Sequence, residues 1–158
     1  IAEIGVGSGI ISISLALELK NAKIIATDIS LDALKYAKIN KDKFQVDIEL
    51  IESNYLDKVN GDFDIIISNP PYIAANYPLD KWVLSEPKTA LIGGQIGDEI
   101  LKDIINLAKS RAKYLICEMG YDQREYMKNY LDKLDFQSEF YADLAGLDRG
   151  FIAYNKGK

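Results

Sequence analysis

The chain predicts an α/β fold with a doubly wound, mostly parallel sheet, and three observations carry that prediction. Short apolar runs of strand length alternate with longer runs of helical spacing. The first strand-like run opens straight into a glycine-rich turn, Gly5-Val6-Gly7-Ser8-Gly9, ahead of a helical pattern. A later run, Phe63-Asp64-Ile65-Ile66-Ile67-Ser68, stops at Asn69-Pro70-Pro71-Tyr72. Strands that alternate with helices pack as a parallel sheet covered on both faces. Ligands of such sheets bind beyond the carboxyl ends of the strands.

Taken in order, residues 1–4 read as the end of a first strand. They lack a Met and begin inside the strand pattern, so residues upstream are expected. Residues 10–20 have helical spacing, 23–27 form a strand and 31–40 a helix. Residues 47–52 and 63–68 are strands. A helix is expected over 98–112, with Asp98 as its N-cap just after Gly97. A strand over 114–118 and a helix over 123–134 follow, then two late strands over 138–141 and 150–154. No repeat or low-complexity linker interrupts the pattern, so residues 1–158 read as one domain. The irregular stretch is 73–97, and a loop of that length in a compact domain usually serves as a lid or substrate loop.

Composition narrows the function classes. The 158 residues are 48% hydrophobic and 27% charged, an ordinary globular mixture with enough chain for a core. No apolar run is long enough to span a bilayer, and no signal peptide is visible. The chain has no histidine and a single cysteine, Cys117. That excludes a Ser-His-Asp triad, a Cys-His pair and a Cys/His zinc site within these residues. Cys117 lies in a strand-like run and reads as a small buried hydrophobe. With no intrachain disulfide possible, a cytoplasmic location fits. The net charge of −5 disfavours a broad basic face for nucleic acid. Lys35, Lys38, Lys41 and Lys43 read as the solvated side of a helix.

Two loops carry chemistry. In Asn69-Pro70-Pro71-Tyr72 each proline locks φ and removes a backbone N–H. The Pro70 carbonyl is then left beside the Asn69 side-chain amide, outside any continuing ladder. Two acceptors on a stiff loop suit the grip of a planar NH2 group, and Tyr72 adds a flat face to pack on it. The plainer alternative is a turn that stops the strand. The glycine turn has the spacing Gly-x-Gly-x-Gly, whereas dinucleotide sites need Gly-x-Gly-x-x-Gly, and Ile10 fills that last position. This argues against NAD or FAD. Asp28 closes the second strand, where an acid accepts both hydroxyls of a ribose. Together the turn and Asp28 indicate a nucleoside cofactor, the plainer alternative for the glycines being a tight strand-to-helix turn. Near the third strand's end, Asn54 is a candidate partner for the adenine amine and Tyr55 for packing on the ring. The alternative there is a polar strand terminus.

Glu3-x-Gly5-x-Gly7-x-Gly9, then Asp28, then Asn69-Pro70-Pro71-Tyr72 resembles the S-adenosylmethionine-dependent methyltransferases. Within them the chain is similar to the HemK/PrmC family, the protein-(glutamine-N5) methyltransferases of peptide chain release factors. Three further segments look like the family's: Glu86-Pro87-x-x-Ala90-Leu91-x-Gly93-Gly94-x-x-Gly97, Glu118-Met119-Gly120-x-x-Gln123 and Asp143-Leu144-Ala145-Gly146-x-Asp148-Arg149. The likeness spans essentially the whole chain. It implies a seven-stranded Rossmann-like methyltransferase sheet that ends in an antiparallel hairpin, with S-adenosyl-L-methionine as cofactor and no metal.

The resemblance also implies roles. Glu3, Gly5, Val6, Gly7, Ser8 and Gly9 would bind the cofactor at its methionine part, Asp28 at its ribose, and Asn54 and Tyr55 near adenine. Asn69, Pro70 and Tyr72 would be catalytic, with Asn69 also touching the cofactor. Pro71 and Glu86 would complete the substrate contacts, Glu86 by ordering the substrate loop unless it is a simple surface carboxylate. Glu3 stands where many members have Asp, and Asn54 where many have an acid. Members carry an upstream helical domain that docks the protein substrate, so such a segment is expected before residue 1. The implied partner is a release factor, modified on the glutamine of its Gly-Gly-Gln loop, with no membrane and no direct nucleic-acid binding. Glutamine methylation of a ribosomal protein is a near relative. Enzymes that methylate the adenine amine of DNA or RNA share Asn/Asp-Pro-Pro-aromatic loops and form the other alternative.

Overall fold

The structure, a computed structural model, describes residues 1–78 and 91–158. Nine strands and four helices lie among them, and seven of the strands belong to one sheet, mostly parallel with a late antiparallel hairpin. The α/β class is as the alternating pattern predicts. The chain forms two compact units, Ile1–Ser68 and Asn69–Lys158.

In the first unit β1 (Ala2–Ile4), β2 (Ile25–Asp28), β3 (Glu49–Glu52) and β4 (Phe63–Ser68) are all parallel, in the spatial order β3-β2-β1-β4. β1 is buried at every residue, as a central parallel strand covered on both faces must be. Helix α1 (Ile10–Glu18) follows β1, and α2 (Leu31–Phe44) follows β2. Val6, Ala26 and Ala37 form one core cluster, while Ile13, Ile24 and Ile48 form another. The Ser30 hydroxyl caps α2 by accepting the Ala33 N–H, and Gln45 closes it in the left-handed region at φ 52°. Lys35 and Lys38 pair with Asp32 and Asp42 on the exposed side of α2, but Lys41 reaches back to the Ile48 carbonyl.

In the second unit β5 (Ile73–Ala74) and β6 (Ile92–Gly94) make a small parallel pair. The ends of the stretch expected to be irregular are therefore ordered, while its middle, with Glu86, lies outside the described residues. Helix α3 (Glu99–Arg111) buries Leu101, Ile104, Ile105 and Ala108, the spacing of one helical face. β7 (Ala112–Glu118), α4 (Arg124–Lys133), β8 (Phe136–Ala142) and β9 (Asp148–Asn155) follow. β9 lies between β7 and β8 and is antiparallel to both. Asn155 is fully buried, and its side-chain amide donates to the Lys109 and Ala112 carbonyls, fastening the end of β9 to the α3–β7 junction. Cys117 is fully buried in β7.

The expected cap of α3 needs correction. Asp98 occupies the N-cap position but makes no capping bond with its side chain. Its carboxylate turns to Lys102 at 3.0 Å. The Glu99 carboxylate instead accepts the N–H groups of Ile96, Gly97 and Asp98, and these hold it below the usual carboxylate range, Ile96 most strongly. No described helix is long and apolar enough to cross a membrane.

Candidate functional site

The first unit builds a cradle at the end of β1. Gly5 and Val6 both donate to the Thr27 carbonyl at 2.9 Å, which turns the chain sharply out of the strand. Gly5 and Gly7 have φ of +75° and +53°, a region glycine enters without steric cost. A side chain added at either would meet nothing within 4 Å, so the backbone is open to close approach by a ligand. Gly9 differs. It also has positive φ, but a Cβ there would crowd Ile13 at 3.2 Å and Ala37 at 3.4 Å, so it serves close packing of α1 on α2. Val6 is buried with Ala26 and Ala37, and Ser8 is exposed, its carbonyl accepting from the Asn40 amide.

Two acids brace this cradle. Asp28 is half-buried; one carboxylate oxygen accepts the Gly7 N–H at 3.0 Å and the other the Ser30 N–H at 2.9 Å. Each oxygen keeps further acceptor capacity, so a hydroxyl fork fits beside these bonds. Glu3 is 2% exposed, and its carboxylate takes both the Ser12 N–H, at 3.0 Å, and the Ser12 hydroxyl. It thereby ties the first turn of α1 to β1. Burial, reinforced by the nearby Asp28 charge, pushes the Glu3 carboxyl up to about 7 against the lowering by Ser12. Any service Glu3 gives a cofactor passes through the turn it holds.

At the end of β3, the exposed Asn54 donates to Asp57 at 3.3 Å within its own turn. Tyr55 is half-buried with φ +45°, a left-handed conformation that costs a non-glycine residue about 1–2 kcal/mol. The same turn positions both side chains that the sequence places near an adenine ring.

The Asn69-Pro70-Pro71-Tyr72 loop opens the second unit. Asn69 is bonded to Ser68, whose partner in the β1–β4 register is Ile4, the residue before Gly5. Asn69 is exposed, Pro70 buried, and Pro71 and Tyr72 half-buried. Three elements of this unit back the loop. A Cβ on Gly93 would lie 2.5 Å from the Pro71 carbonyl and 2.9 Å from the Tyr72 Cα. A Cβ on Gly97 would lie 2.7 Å from the Tyr72 carbonyl. The Gln123 amide donates to the Tyr72 carbonyl at 3.3 Å and to the Gly97 carbonyl at 3.1 Å. At the ring tip Arg149 donates to the Tyr72 hydroxyl at 3.3 Å and binds Asp143 at 2.8 Å. Arg149 in turn holds the Asp143 carboxyl below its ordinary range.

Residues 1–84 match the family model of the methyltransferase small domain. This is more than half of the chain and takes in both the glycine turn and the proline loop. The chain belongs to the methyltransferase small domain family. It is 41% identical, over an alignment of 162 positions, to a release factor glutamine methyltransferase of Dictyoglomus turgidum, covering 94% of this chain and 57% of that protein. It is 43% identical over 134 positions to a bifunctional methyltransferase of Rickettsia typhi, covering 79% of this chain and 26% of the relative. The likeness drawn from the motifs is thus matched along nearly the whole chain, which spans little more than half the length of the first of these relatives. Among solved structures, a ribosomal protein L11 methylase of Lactobacillus delbrueckii subsp. bulgaricus superposes with a TM-score of 0.72 at 27% identity, over 98% of this chain and 68% of that one.

In the sequence of this methyltransferase domain, Gln123, Arg149, Asp143, Gly93 and Gly97 stand out only as parts of family-like segments. The structure gives each a physical task around Tyr72. No local signal marks those tasks, because the Gln123–Tyr72 and Arg149–Tyr72 bonds join residues 51 and 77 positions apart.

Proposed function

We propose that this domain transfers a methyl group from S-adenosyl-L-methionine to the side-chain amide nitrogen of a glutamine in the Gly-Gly-Gln loop of a peptide chain release factor. The observation that carries the reading is the Asn69-Pro70-Pro71-Tyr72 loop, stiffened by two prolines and held from behind by Gly93, Gly97, Gln123 and Arg149. Its neighbours in sequence named as release factor glutamine methyltransferases support the choice of substrate.

The open faces of Gly5 and Gly7 suit the methionine part of the cofactor, Asp28 suits its ribose, and the Asn54–Tyr55 turn suits its adenine. When bound, the cofactor supplies an electrophilic methyl on a sulfonium. An amide nitrogen is a poor nucleophile, since its lone pair is delocalised into the carbonyl, and the chain has no histidine to act as a base. Positioning must do the work. Asn69 Oδ1 and the Pro70 carbonyl accept the two amide hydrogens, and Tyr72 packs on the amide plane. Those contacts strengthen as positive charge develops on nitrogen, so they favour the transition state over the ground state. The new N–C bond forms as the C–S bond breaks with its electron pair going to sulfur. The nitrogen then gives up one proton to water. The charge on sulfur is lost in the step, so a metal has no task to perform. Glu86 would order the substrate loop, unless it is a simple surface carboxylate.

The test is mass spectrometry of two substrates incubated with the full-length protein and methyl-labelled cofactor: a release factor and an adenine-containing DNA oligonucleotide. Label on the Gly-Gly-Gln glutamine with unmodified adenine is expected. Methylated adenine with unmodified glutamine overturns the reading.

A further inference from the structure

We infer that Gln123 is the positioning residue of the acceptor loop: its single amide sets where the Tyr72 carbonyl, and with it the Asn69-Pro70 acceptor pair, stands. The inference rests on the function proposed above. Pro70 and Pro71 have no N–H, so this stretch of chain lacks the donors that ordinarily fasten a loop to its surroundings. It has to be held through its carbonyls, and a carbonyl needs a donor. Gln123 Nε2 supplies two, one to the Tyr72 carbonyl and one to the Gly97 carbonyl. Gln123 Oε1 accepts the Gly120 N–H at 2.9 Å, which fixes the sense of the amide, since only an NH2 suits the side that faces two carbonyls.

The residue is itself rigidly set. Its backbone N–H bonds the Gly120 carbonyl at 3.1 Å, and its carbonyl accepts the Met127 N–H at 2.9 Å in the first turn of α4. A Cβ on Gly120 would press on the Gln123 side chain at 3.3 Å. The three segments that end at Tyr72, Gly97 and Gly120 therefore share one knot, and the knot is a donor pair that no other residue type replaces at this length. Arg149 steadies the Tyr72 ring from the other end, by its hydroxyl.

The deciding variant is Gln123→Glu in the full-length protein, assayed on a release factor. It keeps size and shape but sets a carboxylate against two carbonyls. At about pH 8 kcat should fall by about 10- to 100-fold, the cost of misplacing a reacting group by about 1 Å. Cofactor affinity by calorimetry should stay as in the parent, because the cradle is built from other residues. As the pH falls towards about 4.5 the new carboxyl takes up a proton and regains one donor, so the ratio of variant to parent kcat should rise several-fold. A purely structural role would lower the unfolding temperature without that recovery. Gln123→Met removes both donors at equal length and should lose turnover at every pH; it decides the matter if the first variant does not fold. Parent-like kcat in either variant, or a variant-to-parent ratio that is flat with pH in Gln123→Glu, overturns the inference. Asn69→Ala run alongside separates the two ideas. If it is inactive while the Gln123 variants turn over normally, only the inference fails; if Asn69→Ala is itself fully active, the acceptor-loop reading fails and takes the inference with it.

Discussion

Removing the Asp28 carboxylate takes away the acceptors of two backbone N–H groups, Gly7 and Ser30, along with the proposed ribose partner. Asp28→Ala should weaken S-adenosylmethionine binding by about 2–3 kcal/mol, as for loss of charge-assisted hydrogen bonds, and calorimetry reads it. Unchanged affinity in a folded variant refutes the role. Asn69 is exposed, so Asn69→Ala should leave the unfolding temperature alone. Its kcat should drop by at least about tenfold, as expected when a transition-state acceptor is removed, a much larger effect than any weakening of cofactor binding. Single-turnover kinetics with labelled cofactor provide the check, and near-normal turnover sinks the mechanism.

Elements are joined at a few fixed points, and two of these give measurable signatures. Glu3 couples β1 to α1 through Ser12, and its folded-state carboxyl stands at about 7 against an ordinary value of 4.5. The folded state thus favours the protonated form, and the stability from this group is fully present below about pH 4.5 and lost as the pH rises through about 7. The displacement corresponds to about 3 kcal/mol. Urea unfolding of the parent should weaken across that window, while Glu3→Gln, which cannot ionise, should show a flatter profile; parallel profiles would exclude Glu3 as the source. The second point is Gly97, between β6 and α3. Gly97 and Gly61 have φ of +95° and +96°, but a Cβ meets backbone at 2.7 Å at the first and nothing within 4 Å at the second. Gly61→Ala should cost about 1–2 kcal/mol from the left-handed backbone alone. Gly97→Ala should cost clearly more and reduce turnover, since it pushes on the Tyr72 carbonyl. Equal urea midpoints for the pair would show that the loop yields freely.

At the scale of the molecule, the proposed acceptor pair and aromatic face would read an NH2 group and not a particular protein. Selectivity must then arise outside the loop, and the relatives extend well beyond the length of this chain. Docking energy from remote surface raises the rate only when it is realised at the reacting centre. Residues 1–158 should therefore bind S-adenosylmethionine yet methylate a release factor more poorly than the longer relative of Dictyoglomus turgidum does. Comparing cofactor Kd and kcat/KM for the two tests this, and equal kcat/KM would place the selectivity within residues 1–158.

Local pattern sufficed wherever burial follows a short period. β4 was legible residue by residue as Phe63–Ser68, because its apolar run is bounded by Asp62 and the prolines. The glycine turn, Asp28 and the proline loop were legible because special backbone geometry demands special residues. The end of α2 was not: residues 41–44 carry no apolar period, and the helix runs on to Phe44 by the Lys38–Asp42 pair and the Lys41 bond to Ile48. Strands as short as β5 and β6 fall below any period, and at the N-cap of α3 the Asp98 carboxylate pairs with Lys102 and makes no capping bond. Sequence alone thus determined the class of the sheet, the glycine turn and the proline loop, each encoded by neighbours along the chain. Only the tertiary structure decided what holds that loop, because Gly93, Gly97, Gln123 and Arg149 meet Tyr72 through contacts that chain order does not contain.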